Sequence, residues 1–179
     1  MLLATHLRGV LRGAGPFAVE LAALKAAAGG EGAYAKSLDT LGLYAAKGVP
    51  TFDELAVSFD LVVPQVVAKS AIAPLIGPML GLVDGAALEQ NASAAVRPLV
   101  PVIRRLGELQ PQSLAATLAK AEADMRAGNL GGAVEYLALV DGEPGKILAN
   151  WLTVARARLA VERAAADLGS AALERLSKR

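Results

Sequence analysis

The chain has 179 residues, a length that fits one domain or one domain with an attached segment. Its 18 basic and 17 acidic residues give a net charge of +1, which excludes a global field for binding nucleic acid. Cysteine is absent, so disulfides and thiolate metal sites are excluded as well. The composition is 54% hydrophobic but 4% aromatic, which predicts closely packed, alanine-rich helices.

The first 50 residues show helical periodicity that glycines interrupt. Pro16 suits the first turn of a second helix, and Gly29 and Gly30 end it. A third, short helix is predicted over residues 35–46, before Gly48 and Pro50. The apolar positions at helical spacing are Leu3, Leu7, Val10 and Leu11 in the first segment, and Phe17, Leu21 and Leu24 in the second.

Thr51 and Glu54 form a capping box, in which each side chain can bond the backbone amide of the other residue. The helix that follows carries Phe52, Leu55, Phe59, Val62 and Val63 on one side. Pro64 lacks the amide hydrogen that a helix interior needs, so we expect a kink or a break there.

Residues 61–83, LVVPQVVAKSAIAPLIGPMLGLV, are long and apolar, with Lys69 as their only charge. The length would suffice to cross a bilayer, but three prolines and two glycines argue against one spanning helix. The segment therefore fits three interpretations: a pair of core helices, broken helices in the plane of the membrane surface, or a true span.

Residues 84–112 are predicted to form a long connecting loop that contains Arg97, Arg104 and Arg105. These arginines either contact anionic headgroups or belong to a solvated loop. The resulting division is 1–83 for the N-terminal helices, 84–112 for the loop and 113–179 for the C-terminal helices.

The C-terminal third predicts a helical hairpin followed by a long helix. Ser113 can cap the first helix, Gly128 and Asn129 form the turn, and Pro144 opens the final helix. The expected fold is an all-α bundle of short-looped antiparallel helices. The inner face of the final helix is predicted at Leu148, Trp151, Leu152, Ala155 and Leu159, while Leu168, Leu173 and Leu176 stand free or pack on a partner.

The residues needed for catalysis do not converge in this sequence. His6 is the only histidine, so neither a histidine metal cluster nor an oriented catalytic triad is expected. A phosphate-binding GxxxxGK[ST] loop is absent, and the few aromatic residues make no stacking platform for nucleic acid. The sequence predicts a protein that is not an enzyme and needs no cofactor or metal.

Four segments, in order, resemble the mitofilin family, and in particular its alphaproteobacterial members. They are PFAVELAAL (16–24), GVPTFDELAVSF (48–59), LAKAEADMRAGNLGGAVEYLALVDG (118–142) and NWLTVARARLAVERAAADL (150–168). Members usually carry an N-terminal membrane anchor and a long coiled coil, neither of which these residues contain. We therefore expect either a truncated chain or one that begins late in its gene.

The resemblance implies a scaffold on the inner (cytoplasmic) membrane that faces the periplasm or the intermembrane space. Such proteins shape membrane invaginations and crista junctions, and they tether to outer-membrane assembly machinery. We further expect the C-terminal bundle to associate with itself or with another scaffold protein through apolar surface around Trp151 and the last helix. The resemblance also implies contact with anionic membrane lipid near the C-terminal domain, which agrees with the membrane-surface interpretation of residues 61–83. The candidate lipid-contact residues are Lys69, Ile72, Leu75, Ile76 and Met79.

Trp151, Leu152 and Leu159 are candidates either for partner contact or for the core of the bundle. The alternative to a membrane scaffold is a soluble helical adaptor, because AGNLGGAVEYL (127–137) is similar to the turn and second helix of a tetratricopeptide unit. A stable array of such units needs about three copies, and no second copy occurs at a fixed period.

Overall fold

A computed structural model describes residues 6–7, 9–28, 34–70, 104 and 113–177, and every regular element within these ranges is helical. The predicted all-α class is therefore confirmed. The helices are α1 (Ala18–Ala28), α2 (Ala35–Gly42), α3 (Phe52–Ala68), α4 (Leu114–Arg126), α5 (Leu130–Leu137) and α6 (Gly142–Ser177).

The chain divides into two compact units. Unit 1 combines Met1–Thr51 with Arg156–Arg179, and unit 2 is the continuous stretch Phe52–Ala155. Helix α6 therefore contributes its first part to unit 2 and its last part to unit 1. In unit 1 the two ends of the chain build one core together.

The core of unit 1 joins both chain ends. Phe17 is 1% exposed and Leu41 is 0% exposed. The apolar side chains at helical spacing in the first 50 residues therefore face the core of the unit. Val161, Ala164 and Leu168 of α6 are buried in the same core. The expectation that Leu168 lies on a free or partner-bound end is therefore wrong, since this core already covers it. Leu173 is exposed, and the side chain of Leu176 is outside the described residues.

Helix α2 ends at Gly42, earlier than the predicted Ala46, and turns occupy residues 43–47. Within this stretch the carbonyl of Ala45 accepts a hydrogen bond from the amide of Phe17 at 2.9 Å. Gly48 follows with a φ of +75°, and a Cβ atom there would lie 2.2 Å from the carbonyl oxygen of Ala14. Glycine is required at this position because two backbone segments approach each other too closely for a side chain.

Helix α3 begins at Phe52, directly after Thr51, where the capping box places its start. The break expected at Pro64 does not occur, because the helix continues to Ala68 with Pro64 buried inside it. Proline cannot donate a hydrogen bond to the carbonyl of Asp60, four residues earlier. Burial of Phe59, Val66 and Val67 on both sides of the proline compensates for this loss by fixing the helix in the core of unit 2.

Helices α4 and α5 form the predicted hairpin of unit 2. The Ser113 hydroxyl accepts a hydrogen bond from the amide of Ala116 at 3.2 Å, as expected of an N-cap. The Asn129 side chain caps α5 in the same way, accepting from the amide of Gly132 at 3.1 Å. The inward residues of the hairpin are Ala115, Ala116, Leu118, Ala121, Met125, Leu130, Ala133, Val134 and Leu137.

Gly48 and Gly128 provide a matched test of the close backbone approach. Both have a φ of +75°, but a Cβ atom at Gly128 would meet no atom within 4 Å. We expect Gly128→Ala to lose about 1–2 kcal/mol of unfolding free energy from the left-handed backbone alone. Gly48→Ala should lose clearly more, because the backbone around Ala14 and Gly15 must also move. Denaturant titrations followed by circular dichroism measure both losses, and equal losses would contradict the steric explanation.

Candidate membrane and partner surface

The predicted lipid-contact residues begin at the C-terminal end of α3. Lys69 is exposed, and its amide donates to the carbonyl of Gln65 at 3.2 Å, so it extends the helical turn. The Ser70 hydroxyl then donates to the carbonyl of Val67 at 2.7 Å. Ile72, Leu75, Ile76 and Met79 lie outside the described residues, as do all the residues of 84–112 apart from an exposed, helical Arg104.

The first part of the apolar segment 61–83 belongs to the core of unit 2. Residues 61–68 form the second half of α3, and Val66 and Val67 are both 0% exposed. Pro64 is buried, whereas Leu61 is 42% exposed. Within residues 61–70 the side chains of Pro64, Val66 and Val67 are therefore buried, whereas those of Leu61, Gln65 and Lys69 are exposed.

Trp151 lies in the core of unit 2. It is 4% exposed, and its ring centroid is 5.3 Å from that of Phe59, with a tilt of 52° between the planes. The indole N–H donates to the carbonyl of Leu55 at 3.1 Å. A buried tryptophan needs such an acceptor for its polar atom. Of the two roles left open for Trp151, the burial supports the core role.

Leu152 and Leu159 lie on the same face of α6. Leu152 is 8% exposed within unit 2, and Leu159 is partly buried within unit 1. Leu148 and Ala155, on the same face, are both 0% exposed. Neither leucine forms an open apolar surface for a partner.

Arg158 is a buried cation that the sequence analysis did not identify. It is 7% exposed, and its guanidinium donates to the carbonyl of Leu11 at 2.9 Å and to Glu162 Oε1 at 2.7 Å. The Arg158–Glu162 spacing resembles an ordinary surface pair on a helix, so the sequence contains no signal of its burial. This cation fixes the N-terminal segment of unit 1 to α6.

A second hydrogen bond joins the two chain ends in unit 1. The Tyr34 hydroxyl, just before α2, donates to the carbonyl of Ala171 near the end of α6 at 3.1 Å. Tyr34 itself packs against the core of the unit. Two polar contacts separated by more than three turns of α6 therefore hold the N-terminal residues in place.

Asp60 on α3 and Arg126 on α4 are charged side chains of unit 2 that attract each other. Partial burial raises the pKa of Asp60 above its ordinary value of 3.8, and attraction by Arg126 partly opposes this shift. Arg126 also forms an ion pair with Glu122, one turn earlier on α4. Asp60 itself is exposed on α3, so its carboxylate keeps contact with solvent.

The described part of the chain contains no group of three or more histidine, cysteine, aspartate or glutamate side chains that could hold a metal ion. None of the helices in the described ranges is long and apolar enough to cross a membrane. The fold and its polar contacts define an all-helical protein in which buried charged and aromatic groups hold helices together.

This helical protein belongs to the Mitofilin family. The model of that family, described as a mitochondrial inner membrane protein, matches residues 4–172, which is nearly the whole chain. The family suspected from the four sequence segments is therefore confirmed. Comparisons with curated proteins and with solved structures give no match.

Replacement of Arg158 by methionine tests its role in unit 1. Arg158→Met keeps an apolar stem but removes the hydrogen bonds to Leu11 and Glu162, so we expect a loss of roughly 1.5–3 kcal/mol of unfolding free energy. Arg156→Met, at an exposed position on the same helix, should change stability by less than about 0.5 kcal/mol. Denaturant titration measures both variants, and limited proteolysis reports release of the N-terminal segment. Equal losses would show that the buried contact contributes nothing.

Asp60→Asn tests the raised pKa of that carboxyl. A folded-state pKa above the unfolded value means that the folded chain binds the proton more tightly, so stability falls as pH rises upward from 3.8. We expect Asp60→Asn to be more stable than the native chain at neutral pH and to lose this part of the pH dependence. Asp53→Asn removes the same charge from an exposed position on α3 and serves as the control. The test is the unfolding free energy of each variant, measured from acid to neutral pH. A less stable Asp60→Asn at neutral pH would contradict the raised pKa of Asp60.

Proposed function

We propose that this chain is a non-catalytic scaffold domain that organises the inner membrane and shapes crista-junction-like invaginations. The observation that carries the proposal is the family match over residues 4–172, since the family is one of inner-membrane proteins. The buried side chains of Arg158 and Trp151 use their polar atoms to hold segments of the fold together, which suits a structural role. The domain faces the periplasm or the intermembrane space.

The proposed membrane contact is the apolar segment that follows α3. Because Pro64, Val66 and Val67 are buried, we assign the contact to residues 69–83 of the segment 61–83. Lys69 binds anionic headgroups, and Ile72, Leu75, Ile76 and Met79 insert shallowly into the interface. Each buried CH₂ group gains about 0.8 kcal/mol, so four such side chains give several kcal/mol before ordering costs.

The proposed partners are a second copy of the chain and outer-membrane assembly machinery or other scaffold proteins. Because Trp151 and Leu152 are buried, these contacts use other surfaces than the inner face of α6. The exposed apolar side chains that remain for such contacts in the described ranges are Val19, Leu43, Val57, Leu61, Leu139 and Leu173.

The tetratricopeptide-like adaptor is the weaker alternative. Its supporting segment corresponds to the turn and second helix of the α4–α5 hairpin, where Asn129 caps α5 and also donates to Asp124 at 2.8 Å. These local hydrogen bonds account for the glycine- and asparagine-rich turn without a repeat architecture. A single hairpin cannot form the concave surface of a solenoid, which needs about three repeats.

Liposome flotation tests the membrane contact. The native chain should float with vesicles of phosphatidylcholine and phosphatidylglycerol, and less with phosphatidylcholine alone, because Lys69 favours anionic headgroups. We expect Ile72→Asp/Ile76→Asp to weaken vesicle binding by more than about tenfold, since buried carboxylates oppose insertion. Circular dichroism establishes that the variant stays folded.

Val19→Asp/Leu139→Asp is the matched control for flotation. It introduces the same two charges at positions that are 80% and 73% exposed and lie outside the proposed contact. This variant should float like the native chain. If both double variants lose flotation equally, or if the native chain does not float, the proposed contact is wrong.

A further inference from the structure

The charges of the chain are divided unequally between its two compact units. Residues 1–51 and 156–179 contain 11 basic and 6 acidic side chains, whereas residues 52–155 contain 7 basic and 11 acidic ones. Unit 1 therefore has a net charge of +5 and unit 2 a net charge of −4, which the overall value of +1 conceals. Such asymmetry provides electrostatic complementarity between copies of the same chain.

Unit 1 presents an exposed basic strip, defined as Lys36, Leu43 and Lys47. Lys36 and Leu43 are seven residues apart, which places them on one side of α2 and its end, and Leu43 is 78% exposed. Lys47 is exposed four residues further on. Asp39 lies on the same side but forms an ion pair with Lys25 at 3.9 Å, so it does not cancel the charge of the strip.

Unit 2 presents an exposed acidic strip, defined as Asp53, Val57, Asp60 and Leu61. The spacings of four, seven and eight residues put all four on one side of α3. Val57 is 63% exposed and Leu61 is 42% exposed, and both aspartates are at the surface. The strip ends before Pro64, which is buried.

We propose that the acidic strip of one copy binds the basic strip of a second copy. Each strip combines two like charges with exposed aliphatic side chain surface. When the two strips meet, apolar contacts can therefore form beside pairs of opposite charges. An anionic membrane would attract the basic strip but repel Asp53 and Asp60. A second copy, by contrast, offers each strip a surface of opposite charge. A lysine from the second copy would bring a second positive charge to Asp60, in addition to Arg126, and would favour its ionised carboxylate.

The contact joins two different surfaces, so it is heterologous and can continue from copy to copy. A head-to-tail series of this kind would suit a protein that acts along a membrane. The inference rests on the self-association in the proposed function and specifies its surfaces. Because exposed charges dominate, the association is weak and screened by salt beyond a Debye length of about 8–10 Å.

Charge reversal of each strip tests the proposal by sedimentation velocity. The native chain should associate increasingly with concentration at low salt and be monomeric at high salt. Lys36→Glu/Lys47→Glu and Asp53→Lys/Asp60→Lys should each be monomeric alone, since each variant then carries two strips of like sign. An equimolar mixture should associate again, because every strip of one variant is complementary to a strip of the other.

Arg156→Glu/Arg163→Glu is the control, since it lowers the net charge of unit 1 from +5 to +1, as the lysine variant does, but at exposed positions on α6 outside both strips. It should therefore retain clearly more association than Lys36→Glu/Lys47→Glu, and equal losses would contradict a contact at the strip. Circular dichroism verifies that all variants are folded. The proposal is overturned if the native chain stays monomeric, if either strip variant associates like the native chain, or if the mixture does not. Flotation with phosphatidylglycerol vesicles is measured in parallel, and loss of association with retained flotation separates this contact from the membrane contact.

Discussion

The structure depends on one constraint, namely that the inner face of α6 must complete two different cores. In unit 2 that face supplies Trp151, whose ring packs on Phe59 and whose N–H binds the carbonyl of Leu55. In unit 1 it supplies Val161 and the guanidinium of Arg158. An alanine-rich chain has few large side chains, so these contributions carry much of the packing. A change on this helix therefore affects residues distant in sequence.

The elements that local patterns specify could be predicted from the sequence. The caps at Ser113 and Asn129, the start of α3 after Thr51 and the inward stripe of α6 all follow from residue types at fixed spacing. These features depend on neighbours within four residues, whose interactions are the same in any helix. The all-α class followed from the same patterns, and the family from four segments in order.

The features that depend on distant residues could not be predicted. Pro64 lies inside a continuous helix because core packing outweighs one missing hydrogen bond. Arg158 is buried where its guanidinium donates a hydrogen bond to the carbonyl of Leu11, 147 residues away in sequence. Leu168 is covered because the N-terminal segment returns to the last helix. The spacing of residues along the chain does not predict these three features, because each depends on which distant segments pack together in the fold.

The arrangement of α3 separates two kinds of apolar surface that the sequence presents as one stretch. Val66 and Val67 are buried, so they are available to neither lipid nor a partner. Val57 and Leu61 are exposed but lie beside Asp53 and Asp60, and carboxylates disfavour an anionic bilayer surface. Apolar residues next to acidic ones are thus compatible with the proposed contact to a basic protein surface, whereas the proposed lipid contact begins at Lys69. The run 61–83 accordingly begins with apolar side chains of both kinds, buried ones at Val66 and Val67 and an exposed one at Leu61, which its uniform hydrophobicity does not distinguish.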